Sequence, residues 1–272
     1  MSNTFHKSGY VSIVGNPNVG KSTLVNKLIG RDLTITTPKA QTTRHRILGL
    51  INGENYQLVL SDTPGIIDPA YEMQNSMMNF VKESLVDADV LIYMIAIDED
   101  QTRDEKLLDK IKKIKIPLLV LINKIDSSNQ KDLESAVSHW SSVFPSAKII
   151  PISALTGFFI EELLQLLIEL LPESPAYFPK DQLSDKPERF FVNEAIRKSI
   201  LQSYDKEVPY AVEVITESFK EEEKIIRIRS VIFVERDTQK GIIIGHKGEQ
   251  LKRVGTIARK DIQTFFGKKV YL

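Results

Sequence analysis

At 272 residues with 42% apolar side chains, the chain has material for one domain of ordinary size and a smaller one, each with its own core. Its 36 basic and 36 acidic residues cancel, and without a cysteine it can hold neither a disulfide framework nor a thiolate metal centre. Residues 1–9 are polar and lack the apolar core of a secretion signal, and the longest apolar run, 90–97, is too short to cross a bilayer, so a soluble cytoplasmic protein is expected.

The charge is uneven along the chain. Residues 236–272 carry nine Lys/Arg against three Asp/Glu, a local +6, which leaves 27 against 33, or −6, for everything before them. A basic end of this kind suits a polyanion; a solvated basic face with no partner is the plain alternative.

An apolar strand pattern over 10–14 runs into Gly15-Asn16-Pro17-Asn18-Val19-Gly20-Lys21-Ser22-Thr23, and a helical pattern follows (Leu24, Val25, Leu28, Ile29) that ends at Gly30. The first eight of these residues fit G-x-x-x-x-G-K-[ST], the phosphate-binding loop of nucleotide hydrolases. Gly15 and Gly20 let the main chain close around phosphate oxygens, Lys21 reaches the β- and γ-phosphates, Ser22 offers a hydroxyl to Mg²⁺, and the helix sets its positive end under the anion.

Residues 34–46 show no hydrophobic period, contain Thr36, Thr37, Thr42, Thr43 and Pro38, and read as a mobile loop. Two apolar-rich runs, 45–51 and 56–61, flank Asn52-Gly53-Glu54-Asn55 as a hairpin. The second run delivers Asp62-Thr63-Pro64-Gly65. An Asp at a strand end facing a phosphate loop can hold Mg²⁺, and Gly65 lets a main-chain N–H approach the γ-phosphate. Taken alone, this tetrapeptide is an ordinary turn.

Helices are expected over 73–85 and 106–114, and buried strands over 90–97, 118–122 and 148–152. Strands alternating with helices predict a doubly covered, mostly parallel sheet with ligands at the strand ends. The strand over 118–122 ends in Asn123-Lys124-Ile125-Asp126. The Asp126 carboxylate can accept from both N1–H and the amino group of guanine, a pair adenine does not present; Asn123 can meet the O6/N7 edge and the Lys124 stem can cover the base. Main-chain N–H groups of Ser153-Ala154-Leu155 are then placed to meet guanine O6. An ATP-using enzyme with the same phosphate loop is the rival, and residues 123–126 argue against it.

These four motifs in this order, over residues 8–171, resemble the translation-factor-related GTPases. That resemblance implies an α/β Ras-like P-loop domain with a mixed, mostly parallel sheet, binding GTP or GDP with Mg²⁺. The loop Lys39-Ala40-Gln41-Thr42-Thr43-Arg44-His45-Arg46 is similar to that of the Era family of ribosome-associated GTPases. By this resemblance Thr43 is a Mg²⁺ ligand beside Ser22 and Asp62, with Thr42 the alternative. The residue after Gly65 is Ile66, where Ras-like proteins carry a water-orienting glutamine, so hydrolysis is expected to be slow and to draw its charge elsewhere. Asn18 resembles the asparagine that holds K⁺ beside the phosphates in relatives lacking that glutamine. The catalytic set is therefore Lys21, Asn18, Thr43 and Gly65.

Residues 172–187, with four prolines among charges, suit a linker. A helical period over 188–204 and strands over 210–216 and 225–234 follow, then Gly245-His246-Lys247-Gly248 and a basic helix with Lys252, Arg253, Arg259 and Lys260. Gly-x-x-Gly opening a helix resembles the KH nucleic-acid-binding module, in which the glycines admit a phosphodiester. This gives a smaller α+β KH-type domain over 188–272, with residues 245–248, Lys252 and Arg253 on RNA. In the family the chain continues past the position of Leu272, completing a strand and adding a basic tail.

The reading is a GTP-hydrolysing switch that binds small-subunit ribosomal RNA near its 3′ end during small-subunit assembly, as a monomer. The alternative is a GTPase whose second domain meets a protein or membrane surface; weak contact with the inner face of the cell membrane is compatible with either.

Overall fold

The computed structural model describes residues 6–39, 42–66, 72–99 and 105–272. The chain divides into two compact units: one takes residues 1–30 and 43–185, the other residues 31–42 and 186–272. The break at 185/186 falls inside the proline-rich segment expected as a linker.

In the first unit β1 (Lys7–Val14), β2 (Ile47–Asn52), β3 (Tyr56–Asp62), β4 (Val90–Ala96), β5 (Leu118–Asn123) and β6 (Lys148–Pro151) form one sheet in the order β2-β3-β1-β4-β5-β6. Only β2 is antiparallel to its neighbour, as the hairpin through Gly53 requires. Side-chain alternation divides the core. Ile92 and Met94 of β4 pack with α1 (Lys21–Ile29) and α5 (Ile160–Leu170) through Leu24, Leu28, Leu163 and Leu167. Leu91, Tyr93 and Ile95 pack on the other face with α2 (Glu72–Asp87), α3 (Glu105–Lys112) and α4 (Gln130–Val143), through Val81, Ile111 and Trp140. A sheet covered on both faces makes the strands continuous apolar runs and gathers the loops at their C-terminal ends.

Most of the proline-rich segment is tied to this unit. Leu50 N–H donates to Leu183 O (3.0 Å), Ser184 bridges antiparallel to Gly49, and Gln57 Oε1 accepts from the N–H groups of Tyr177 (2.7 Å) and Phe178 (2.9 Å). The outer edge of β2 is thereby covered, which removes an open row of main-chain donors and acceptors.

In the second unit α6 (Glu188–Ser203), β7 (Val212–Glu221), β8 (Ile225–Val234), α7 (Asp237–Ile244), α8 (Glu249–Phe266) and β9 (Lys269–Tyr271) run in that order. The sheet order is β7-β8-β9, with β7 and β8 antiparallel and β9 parallel to β8. Ile196, Ile200, Val214, Ile226, Ile243, Val254, Ala258 and Ile262 form its core. Residues 31–42 belong here: the buried Arg197 donates to Thr42 O and binds Glu194 at 2.8 and 2.6 Å, and Lys39 Nζ donates to Tyr204 O and pairs with Asp205 at 3.0 Å. Among its described residues the stretch expected as a mobile loop has no helix or strand between α1 and β2, yet they carry these fixed contacts. Among the described residues no helix is long and apolar enough to cross a membrane.

Candidate nucleotide-binding and RNA-binding sites

β1 ends at Val14 and α1 begins at Lys21, so the phosphate loop spans the C-terminal edge of the sheet. Lys21 Nζ donates to Gly15 O and Asn16 O, both at 2.8 Å, which closes the loop on its own lysine. Only 6% of Lys21 is exposed. Burial pulls its ammonium down to about 8, against the opposing pull of the Asp62 and Glu99 carboxylates.

Ser22, Asp62 and Thr43, from three separate stretches, meet. Ser22 Oγ donates to Asp62 Oδ2 at 2.8 Å and lies 2.9 Å from Thr43 Oγ1. Asp62 is the last residue of β3, fully buried and in register with Ile13 of β1, and the next side chain, Thr63, donates to Ile13 O at 2.7 Å. Of the two threonines left open by the sequence, Thr43 joins this group, whereas the Thr42 hydroxyl donates to Lys39 O at 2.7 Å. Two hydroxyls and a carboxylate are hard oxygen donors that fit Mg²⁺. Among the described residues no cluster of His, Asp and Glu side chains could hold a metal alone.

Gly65 runs against the phosphate loop so closely that a Cβ there would stand 2.7 Å from Pro17 Cα, and Ile66 N–H donates to Gly15 O at 3.1 Å. Asn18 is exposed with φ 63°, at the lip of the loop.

The base motif differs in one respect from the sequence expectation. Asn123 Nδ2 donates to Val19 O (2.7 Å) and Asn123 Oδ1 accepts from Ala154 N–H (2.9 Å). The Asn123 side chain thus ties the phosphate loop to the segment 153–155, and the Ala154 N–H expected at guanine O6 is held by Asn123. A buried amide satisfies its polar atoms with the nearest main-chain groups, and these are 104 and 31 residues away. Asp126 Oδ1 accepts from Ser153 Oγ, which fixes the carboxylate beside the segment 153–155. Lys124 has φ 64° and lies 3.6 Å from Asp98, while Leu155 is exposed.

Sequence reasoning missed Glu99, on the turn after β4, whose carboxylate accepts from Asn16 Nδ2 and from Ala96 N–H (3.1 Å). The only signal was an acidic run directly after a buried strand.

In the second unit α7 stops at Ile244, residues 246–248 form a single tight turn, and α8 starts after Gly248. Gly248 has φ 78° and open space where a Cβ would lie; Lys247 also has positive φ, 49°. The turn lies at the N-terminus of α8 with no side chain at Gly245 or Gly248 to block approach, a geometry that suits phosphate. His246, Lys247, Lys252 and Arg253 are exposed around it, with Ile242, Ile244 and Leu251 exposed as apolar neighbours.

A doubly covered sheet with a phosphate loop, a hydroxyl–carboxylate metal set and a guanine-type motif at one edge, followed by a Gly-x-x-Gly domain, defines a Ras-like P-loop GTPase joined to a KH domain. The family model described as 50S ribosome-binding GTPase matches residues 10–124, and that of the KH domain matches residues 207–272. GTPase Era of Staphylococcus epidermidis is 43% identical over 271 residues, 99% of this chain and 91% of that protein. The chain belongs to the Era family and is a GTPase. A crystal structure of Era in complex with MgGDPNP and nucleotides 1506–1542 of 16S ribosomal RNA superposes with TM-score 0.92 at 39% identity, covering 98% of this chain and 92% of that one. A tyrosine-to-alanine variant of Aquifex aeolicus Era bound to GDP·AlF4⁻ gives TM-score 0.92 at 38% identity, with the same coverage.

Proposed function

We propose that this protein is a GTP-driven switch that binds small-subunit ribosomal RNA near its 3′ end and acts in assembly of the small ribosomal subunit. The observation that carries the reading is the convergence of Ser22, Asp62 and Thr43 beside Lys21, at the same sheet edge as Asp126. The Era relative solved with 16S RNA supports the RNA half, and the Gly245–Gly248 turn among exposed cations supplies the matching chemistry here.

In this reading Lys21 leaves Gly15 O and Asn16 O for the phosphates, and the loop from Gly15 to Thr23 wraps them. Ser22, Asp62 and Thr43 hold Mg²⁺, which neutralises charge on the β- and γ-phosphates when bound. The Gly65 N–H faces the γ-phosphate. Asp126 reads the guanine edge while Asn123 holds the two loops that frame it, and Lys124, Ile125, Ser153 and Leu155 line the base. The Ile66 side chain has no polar group to orient water; Asn18 would hold a K⁺ beside the phosphates, which would supply the charge that another GTPase takes from a side chain. Residues 8–171 do the nucleotide work and residues 188–272 the RNA work.

The protein acts as a cytoplasmic monomer, with weak contact to the inner membrane face as a secondary association. The deciding experiment is a titration of the 3′-terminal small-subunit RNA, and a scrambled strand of equal length, against the protein with GTP or GDP. The genuine strand binds more tightly, and its affinity differs between nucleotides. Equal binding of both strands rejects the RNA assignment.

A further inference from the structure

One acid that no motif accounts for points into the phosphate loop. Glu99 N–H donates to Ala96 O (3.0 Å), and one Glu99 carboxylate oxygen accepts the Ala96 N–H at 3.1 Å, so the side chain is folded back over its own turn. The other oxygen accepts from Nδ2 of Asn16, whose carbonyl in turn holds Lys21 Nζ at 2.8 Å. Both carboxylate oxygens are therefore fixed, and the charge rests on a loop that has to receive a polyanion.

Lys21 faces two acids, Asp62 and Glu99. Asp62 belongs to the oxygen set that fits a divalent cation, which arrives with the nucleotide and offsets its charge. Glu99 has no such counterpart. Among the described residues it forms no ion pair, whereas the adjacent Asp98 has Lys124 at 3.6 Å. When phosphates replace the carbonyls around Lys21, the Glu99 charge repels them and competes for the same ammonium.

We propose that Glu99 sets nucleotide affinity: held against the phosphate loop by Asn16, its charge weakens phosphate binding and shortens the time GDP remains after hydrolysis. The inference rests on the assignment of residues 15–23 to the phosphates.

The test is Glu99→Gln, which keeps size and shape and removes the charge. GDP and GTP affinity and release rate are followed with a fluorescent nucleotide in Mg²⁺ buffer at low and high salt. The variant binds both about three- to tenfold more tightly at low salt, through slower release, and the gain shrinks as salt screens the charge. Glu99→Ala reads the same charge loss without an amide in its place, should the glutamine variant fold poorly. A merely structural Glu99 predicts the opposite sign, because either change would loosen the turn and weaken binding. Unchanged or weaker affinity in both variants, or a gain insensitive to salt, overturns the proposal. If the wild-type chain binds no guanine nucleotide, the phosphate-site assignment itself fails.

Discussion

The side-chain amide of Asn123 donates to the main-chain carbonyl of Val19 at 2.7 Å, so a residue of the base motif holds the phosphate loop directly. Its other end accepts from Ala154 N–H. Asn123→Ala leaves a buried carbonyl and a buried N–H without partners, at about 1–3 kcal/mol each. The variant should lose about 2–6 kcal/mol of stability in urea unfolding and bind GDP at least tenfold more weakly. Loss of base preference with phosphate affinity intact would show that the tie is dispensable.

Asp126 should set the choice of base. In Asp126→Asn an amide replaces a carboxylate opposite the two guanine donors, and a charge-assisted pair of this kind is worth about 1.5–3 kcal/mol, roughly tenfold or more in affinity. GTP binding should fall by that factor and xanthosine triphosphate binding should rise. Competition titrations with both nucleotides measure it directly; the same two affinities in variant and wild type would remove Asp126 from the base site.

The K⁺ role proposed for Asn18 predicts a kinetic signature. GTP hydrolysis should run faster in KCl than in NaCl of equal ionic strength, and Asn18→Ala should abolish the difference while leaving slow hydrolysis in both salts. Equal wild-type rates in the two salts would mean that the charge comes from elsewhere.

At the RNA site Gly248→Asp forces a side chain into φ 78° and sets a carboxylate where a phosphodiester would pass. RNA binding should vanish with GTP affinity unchanged. Lys247→Ala should weaken all RNAs by a similar factor and lower the slope of log affinity against log salt by about 0.7, one single-strand phosphate contact. A loss confined to one RNA sequence would instead make Lys247 a base reader.

The depressed Lys21 pKa, about 8, predicts a pH dependence of nucleotide binding. Phosphates favour the charged lysine, so above this value the ligand-free protein has lost a proton that the complex takes back. Affinity should be flat at lower pH and fall above about pH 8, by up to about tenfold per unit. For the ligand-free fold the sign is opposite: the unfolded chain keeps that proton to about pH 10.4, so stability rises between about pH 8 and 10.4. Calorimetry at about pH 8.5 in two buffers of different ionisation enthalpy should register proton uptake on GDP binding; identical heats in the two buffers would contradict it.

The buried strands β4 and β5 were legible because a parallel strand covered on both faces has no polar alternation, and the four nucleotide motifs were legible because each is continuous in sequence. α4 carried readable signals, an Asn129 side chain that caps Asp132 N–H at 3.1 Å and apolar residues at 133, 136, 137 and 140, but no motif drew attention to it. α7 was harder. Its Gly241 and three isoleucines disfavour a helix, yet Gln239 Oε1 accepts from the N–H groups of Glu235 and Arg236 at the start, and Ile243 buries against the second core. The ties from Asn16 to Glu99 and from Asn123 to Val19 span 83 and 104 residues. No local pattern encodes a pair whose members meet only when sheet order is known.

The chain enters the second unit twice, first with residues 31–42 and again from Lys186. The borders of the two compact units therefore cannot be drawn with a single cut in the sequence. A fragment beginning at Lys186 would contain the Gly-x-x-Gly turn and both sheet edges, yet Arg197 would have no Thr42 carbonyl to meet, and Tyr204 and Asp205 no Lys39. The RNA-binding half is for that reason not a cassette that can be cut out or grafted elsewhere by a single splice: part of its surface is lent by the stretch of chain that ends one residue before Thr43.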